Sequence, residues 1–169
     1  SFHGNERQTM AVDMFKLSLF LIGINVADLC NLSEIEKDGY LRYKRQKTQK
    51  LYCIKVEQEA LAIIEKYRGR NHLLNILDRY ANVHTFTATL GKVLQSIDGF
   101  ENLTSYWARH TWATIASELD IPVDVISHAL GHSFSTGAKV TQVYINFNQQ
   151  KIDDANRKVI NYILFAVNK

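Results

Sequence analysis

The sequence predicts a mainly α domain carrying a small antiparallel β-sheet, and three observations lead to that class. Apolar residues recur at spacings of three and four through most of the chain, as in amphipathic helices. Only the stretch from Tyr40 to Val56 alternates apolar and polar residues in the manner of strands, and a polar turn divides it. At 169 residues with 46% hydrophobic side chains, the chain is one domain's length and can bury a sizeable core.

Val12, Phe15, Leu19 and Ile22 form the first helical stripe, which Gly23 ends. A short second helix follows through Ala27-Asp28-Leu29. The strands are Tyr40-Leu41-Arg42-Tyr43-Lys44 and Leu51-Tyr52-Cys53-Ile54-Lys55-Val56, with the turn near Gln46 to Gln49. Ala60-Leu61, Ile63-Ile64 and Tyr67 mark a third helix closed by Gly69, and Leu73 to Leu77 reads as a short helical turn. Phe86, Leu90, Val93-Leu94 and Ile97 mark a further helix ended by Gly99. From Thr104 to Leu119 another helix turns Trp112, Ile115 and Leu119 inward. Pro122, the only proline, suits the first turn of the next helix, which carries His128 and ends near Gly131. Ile152, Ala155, Val159-Ile160 and Ile163-Leu164 make a strongly amphipathic tail helix.

No internal repeat or low-complexity segment interrupts this order. The richest apolar run, Met14 to Ile24, is broken by Lys16 and Ser18, so it reads as a core helix and not as a membrane span or signal peptide. Cys30 and Cys53 lie far apart in apolar surroundings, as buried thiols of a reducing cytoplasm would. The chain begins at Ser1, which suits a fragment excised from a longer protein.

Net charge is only +3, too small to announce a nucleic-acid partner. Its distribution says more. Gly39 to Lys50 holds five basic side chains, Arg42, Lys44, Arg45, Lys47 and Lys50, with no acidic one and with interleaved tyrosines. Such a patch fits contact with phosphates; it also fits a solvated hairpin edge guarded by lysines.

The residues that carry chemistry come in the last third. Ala108-Arg109-His110-Thr111-Trp112-Ala113-Thr114 is followed by Leu130-Gly131-His132 and then by a lone tyrosine in Val143-Tyr144-Ile145. This order of Arg, His and Tyr resembles the catalytic box of the tyrosine recombinases, or phage-type integrases, over nearly the whole chain from Met10 to Ile163. Tyr144-Ile145-Asn146-Phe147 followed by Lys151-Ile152-Asp153-Asp154-Ala155-Asn156 looks most like integrases of Bacteroides-type mobile elements.

The resemblance implies the catalytic-domain fold of DNA breaking-rejoining enzymes, occupying residues 1–169 without the family's N-terminal DNA-clamping domain. It also implies site-specific strand exchange for integration or excision of a mobile element, with Tyr144 as nucleophile. A phenol of pKa about 10 is a weak nucleophile until neighbours take its proton or stabilise developing charge. Arg109 would do so with a planar fork matched to two phosphoryl oxygens, and His132 would hydrogen-bond beside it. Lys47-Thr48 matches the hairpin pair whose lysine looks like the general acid, with Lys44, Arg45 and Lys50 as rivals. No metal or cofactor is called for. The implied partners are double-stranded DNA at attachment sites, a homotetramer on that DNA and accessory DNA-bending proteins, in the bacterial cytoplasm. The tail helix, residues 149–167, would pack on its own domain or on a neighbouring protomer.

Two positions depart from the family pattern. Gly23-Ile24-Asn25-Val26-Ala27-Asp28-Leu29 puts Asn25 where the first-box arginine belongs, while Asp28 fits the acidic place. Arg79, Arg45 and Arg42 are candidates to replace that arginine, and Asn25 itself keeps a neutral donor. Tyr106 stands where the family commonly has histidine, and a phenol can still bond a phosphate oxygen. A zinc reading of His128 and His132, four apart with His110 upstream, lacks HExxH, CxxC and an acidic third ligand. Tyr162, Tyr106, Tyr40, Tyr43 and Tyr52 compete with Tyr144 by type but not by place. Asn25 leaves room for a catalytically silent DNA-binding regulator on the same scaffold. A type IB topoisomerase-like relaxing enzyme would share the chemistry.

Overall fold

A computed structural model describes residues 4–131 and 149–167. The chain divides into two compact units, Ser1–Trp112 and Ala113–Lys169. In chain order the elements are α1 (Glu6–Phe20), α2 (Val26–Cys30), β1 (Tyr40–Lys44), β2 (Leu51–Lys55), α3 (Gln58–Lys66), α4 (Ile76–Arg79), α5 (Val83–Gln95), α6 (Trp107–Glu118), α7 (Val123–Ala129) and α8 (Gln149–Val167). The mainly helical class with one two-stranded antiparallel sheet is the class the sequence predicts.

In the first unit α1 starts from a reciprocal cap: Asn5 Oδ1 accepts from the Gln8 amide at 2.9 Å, and Gln8 Oε1 accepts from the Asn5 amide at 3.1 Å. Its buried face runs through Met10, Ala11, Met14, Leu17 and Ser18, whereas Val12 and Phe15 are only half-buried. The stripe expected from Val12 and Phe15 is therefore rotated. Apolar residues lie nearly all round this helix, so spacing alone does not mark the inward side. α1 packs on α3 and α5, and α2 packs on α5. Asp13 Oδ2 ties α3 to α1 by accepting from Lys66 Nζ at 2.7 Å and from the Tyr67 hydroxyl at 2.9 Å.

The strands pair with Tyr40 opposite Lys55 and Lys44 opposite Leu51, which brings Tyr43 against Tyr52 as a stacked pair 5.2 Å apart. The turn closes when the Arg45 amide donates to the Lys50 carbonyl at 2.9 Å and the Gln49 amide to the Arg45 carbonyl at 2.8 Å. Gln49 takes φ +58 to complete it. The expected helical turn at Leu73 to Leu77 lies three residues later, as α4. Leu74 instead bridges to Arg68, and the Leu73 amide donates to the Leu32 carbonyl at 2.8 Å. A tertiary hydrogen bond overrides the local apolar spacing there.

α6 buries Ala108, Trp112 and Ala116, with Trp112 fully inaccessible. Ile115 and Leu119 are half-buried, less inward than expected. In the second unit Pro122 sits at the N-cap of α7, one residue outside the position expected for it. α8 lies against α7 of its own chain and buries Ile152, Ala155, Asn156, Val159 and Ile160, close to the expected stripe. Tyr162 and Phe165 near its end are exposed. Cys30 is buried, which pushes its thiol up to about 12, while Cys53 is half-buried and so less covered than expected. Among the described residues no helix is long and apolar enough to cross a membrane.

Candidate functional site

The first unit holds a small open cleft lined by Gly23, Ile24, Asn25, Val26, Arg45, Ser105, Tyr106 and Arg109. Three pieces of chain converge there: the turn between α1 and α2, the tip of the hairpin, and the start of α6. Two arginines, one asparagine and one tyrosine among eight lining residues give it the donor types that an anion takes.

Arg109 is 9% exposed, an unusual burial for a guanidinium. The α1–α2 turn shapes its place. Ile22 at φ +59 and Gly23 at φ +66 are consecutive left-handed residues, and for the β-branched Ile22 that conformation costs on the order of 1–3 kcal/mol. Ser18 holds the turn: its carbonyl accepts from the Gly23 amide at 2.8 Å, and its buried hydroxyl donates to the Ile24 carbonyl at 2.7 Å. Gly23 is thereby pressed against Arg109. A Cβ on Gly23 would stand 2.3 Å from Arg109 Cα and 2.6 Å from its Cβ, so only glycine lets the two backbones meet.

Asn25 serves first as the N-cap of α2, its Oδ1 accepting from the Ala27 amide at 2.9 Å. The Nδ2 end remains as a neutral donor at the cleft. Asp28, one turn on, is 6% exposed and grips the hairpin tip. Its Oδ1 accepts from the Gln46 amide at 3.0 Å, and its Oδ2 lies 3.7 Å from Arg45 Nε. The carboxylate side chain is 4% exposed and the guanidinium side chain 18%, so this pair is little screened by water. By contrast, Arg42 pairs at the surface with Glu36 at 2.6 Å and Asp38 at 2.7 Å, where such pairs contribute about 0–1 kcal/mol.

The hairpin tip presents an exposed Lys47 in the turn, where a long flexible ammonium can reach a ligand outside the protein. Lys44 is exposed and Lys50 half-buried. Arg42 and Lys44 line a second cleft beside Asp28 and Tyr43, on the same hairpin. Arg42 is thus in the basic patch, with its fork already taken by Glu36 and Asp38. Arg79 stands apart: its Nη1 lies 3.6 Å from Glu6 and 3.8 Å from the Met10 sulfur, in a cleft with Arg7, Tyr80 and Thr89. Tyr106, 52% exposed, lines the Arg109 cleft and meets the His110 ring edge-on at 4.7 Å. His110 is an exposed residue packed on Tyr106 and Trp107, not the buried one that its place after Arg109 suggests.

His132 and Tyr144 lie outside the described residues. In the helix before them, His128 Nδ1 is 2.8 Å from the Asp124 carbonyl. Among the described residues no group of three or more His, Cys, Asp or Glu side chains is set to hold a metal. The structure therefore gathers Arg109, Tyr106, Asn25 and Arg45, with Asp28 behind Arg45, and leaves Arg79 elsewhere. Sequence reasoning missed Ser18, Gly23 and Ser105. Gly23 reads as a helix stop, and only the structure shows what it packs on.

No family model matches this chain. Among curated proteins, a tyrosine recombinase of Agathobacter rectalis is 30% identical over a match covering 80% of this chain and 47% of that protein. The chain thus spans about half the length of the curated relative it matches. Among solved structures, the crystal structure of XerA recombinase is similar with a TM-score of 0.54 at 16% identity, covering 93% of this chain and 62% of that chain. Over the matched residues the chain has the fold of that recombinase, mostly helical with a two-stranded antiparallel sheet.

Proposed function

We infer that the chain is the catalytic domain of a tyrosine recombinase, which cuts and rejoins DNA strands through a 3'-phosphotyrosyl intermediate. The observation that carries this reading is the buried Arg109 at the head of a small anion-fitted cleft, in a chain with the recombinase fold and a recombinase relative. The proposed site-specific role is integration or excision of a mobile element, on DNA-bound tetramers whose α8 helices exchange between protomers. The exposed Tyr162 and Phe165 on α8 support that exchange.

The proposed step conserves bond energy. Tyr144 passes its phenolic proton to a basic group beside the phosphate, His132 being the one placed for it by the sequence order. Its oxygen then bonds to phosphorus on the 3' side as the bond to the 5' oxygen breaks. Lys47, from the hairpin tip, gives that oxygen its proton, because an alkoxide leaves poorly. Arg109 holds the phosphoryl oxygens throughout, with Tyr106 and Asn25 as neutral donors. The 5' hydroxyl of a partner strand then reverses the step.

The test is a nicked duplex from which cleavage releases a short 5'-hydroxyl fragment downstream of the break, so that religation is prevented. A slowly migrating protein–DNA adduct, stable to denaturant, is expected from the full-length protein. Tight duplex binding without an adduct would favour the silent DNA-binding module that Asn25 leaves open.

A further inference from the structure

Asn25 leaves the first box of the site without its arginine, yet the cleft at that position holds a second guanidinium. Arg45 lines the cleft together with Asn25 and Arg109, although it comes from the hairpin. We propose that Arg45 is the second phosphate-binding arginine of the site, a catalytic residue that reaches the scissile phosphate from the hairpin in place of one at position 25. This rests on the recombinase reading above.

Three observations carry the assignment. Arg45 is held, not loose: Asp28 meets it through Nε at 3.7 Å and fixes the next residue by accepting from the Gln46 amide at 3.0 Å. A pair made through Nε leaves both terminal nitrogens of the fork for another anion, the arrangement that bidentate phosphate binding needs. The charges also match. Arg45 and Arg109 against Asp28 leave one formal positive charge, the complement of one phosphodiester. The phenol of Tyr43, on β1, reports the same convergence: burial raises its pKa, Asp28 and Tyr52 raise it further, and Arg109 and Arg45 both oppose them. The other two candidate arginines are committed elsewhere, Arg79 beside Glu6 and Met10, Arg42 on Glu36 and Asp38.

Asp28 thus acts as a positioning residue. It aims Arg45 and, by the same carboxylate, anchors the turn that carries Lys47. One carboxylate therefore couples the second arginine to the general acid, so both reach the phosphate only when the hairpin is docked.

The test measures the rate of covalent adduct formation on the nicked duplex at saturating full-length protein. Arg45→Ala is expected to slow it by about 10²- to 10³-fold. Arg45→Lys should recover little, because an ammonium lacks the fork. Placing the charge at the family's usual position, Asn25→Arg in the Arg45→Ala background, is expected to restore about tenfold or more despite the lost cap. Arg68→Ala, on a surface pair with Glu65, should cleave as wild type does. Arg45→Ala within about twofold of Arg68→Ala would overturn the proposal. So would a slowed Arg45→Ala that has also lost duplex binding and thermal stability and is not rescued by Asn25→Arg, since a disordered hairpin would then explain it. A wild-type protein that forms no adduct removes the recombinase reading, and this proposal with it.

Discussion

Lys47→Ala is expected to slow strand cleavage by about 10²- to 10⁴-fold on ordinary DNA, the span that a positioned general acid contributes. On a duplex whose leaving 5' oxygen is replaced by sulfur, the same variant should cleave at close to the wild-type rate. The reason is the leaving group. An alkoxide needs a proton in the transition state, whereas a thiolate, with a thiol pKa near about 8.5, departs without one. The hairpin suits this task, since Lys47 is exposed at a turn closed by the Arg45 and Gln49 amides and anchored through Gln46 on Asp28. An equal deficit on both substrates would remove Lys47 from proton transfer and leave it as a DNA contact. Lys44 and Lys50 would then be tested on the sulfur substrate in the same way.

Gly23→Ala is the second large expectation, about 10²-fold in cleavage, because a displacement near 1 Å at a phosphate-binding group costs that much. The new Cβ would fall 2.3 Å from Arg109 Cα, and a backbone atom cannot yield as the end of a flexible side chain can. A positive φ alone is not the cause. Gly39 stands at φ +83 with nothing within 4 Å of an added Cβ, so Gly39→Ala isolates the conformational penalty, about 1–2 kcal/mol. Gly39→Ala should therefore lose some thermal stability and keep its cleavage rate. Cleavage by folded Gly23→Ala protein as fast as by Gly39→Ala would show that the turn does not position Arg109.

How much of this was legible in the sequence depends on how local each signal is. The hairpin was readable to within one residue, the second strand ending at Lys55 and not at Val56, because alternation and turn residues act over a few positions. The string around Arg109 and its resemblance to a family make it a candidate site residue, and its burial beside Gly23 was not readable. Nor was the buried side of α1, since a helix apolar on most of its surface gives no preferred face. The choice among Arg42, Arg45 and Arg79 was also beyond the sequence: each is an arginine in a polar stretch. Ion pairing separates them in space, with Arg42 drawn to Asp38, Arg79 to Glu6, and Arg45 to the buried Asp28. Gly23 could be read only as the end of a helix, because its partner lies on α6, far along the chain.

The central claim is that Tyr144 becomes covalently joined to the 3' end of the cut strand. The most direct measurement digests the trapped protein–DNA adduct with protease and nuclease and finds the nucleotide-bearing peptide by mass spectrometry. A nucleotide on the tyrosine of Val143-Tyr144-Ile145, with no adduct formed by Tyr144→Phe, is the predicted result. A nucleotide on Tyr106, Tyr162 or another residue, or an undiminished adduct from Tyr144→Phe, would contradict it.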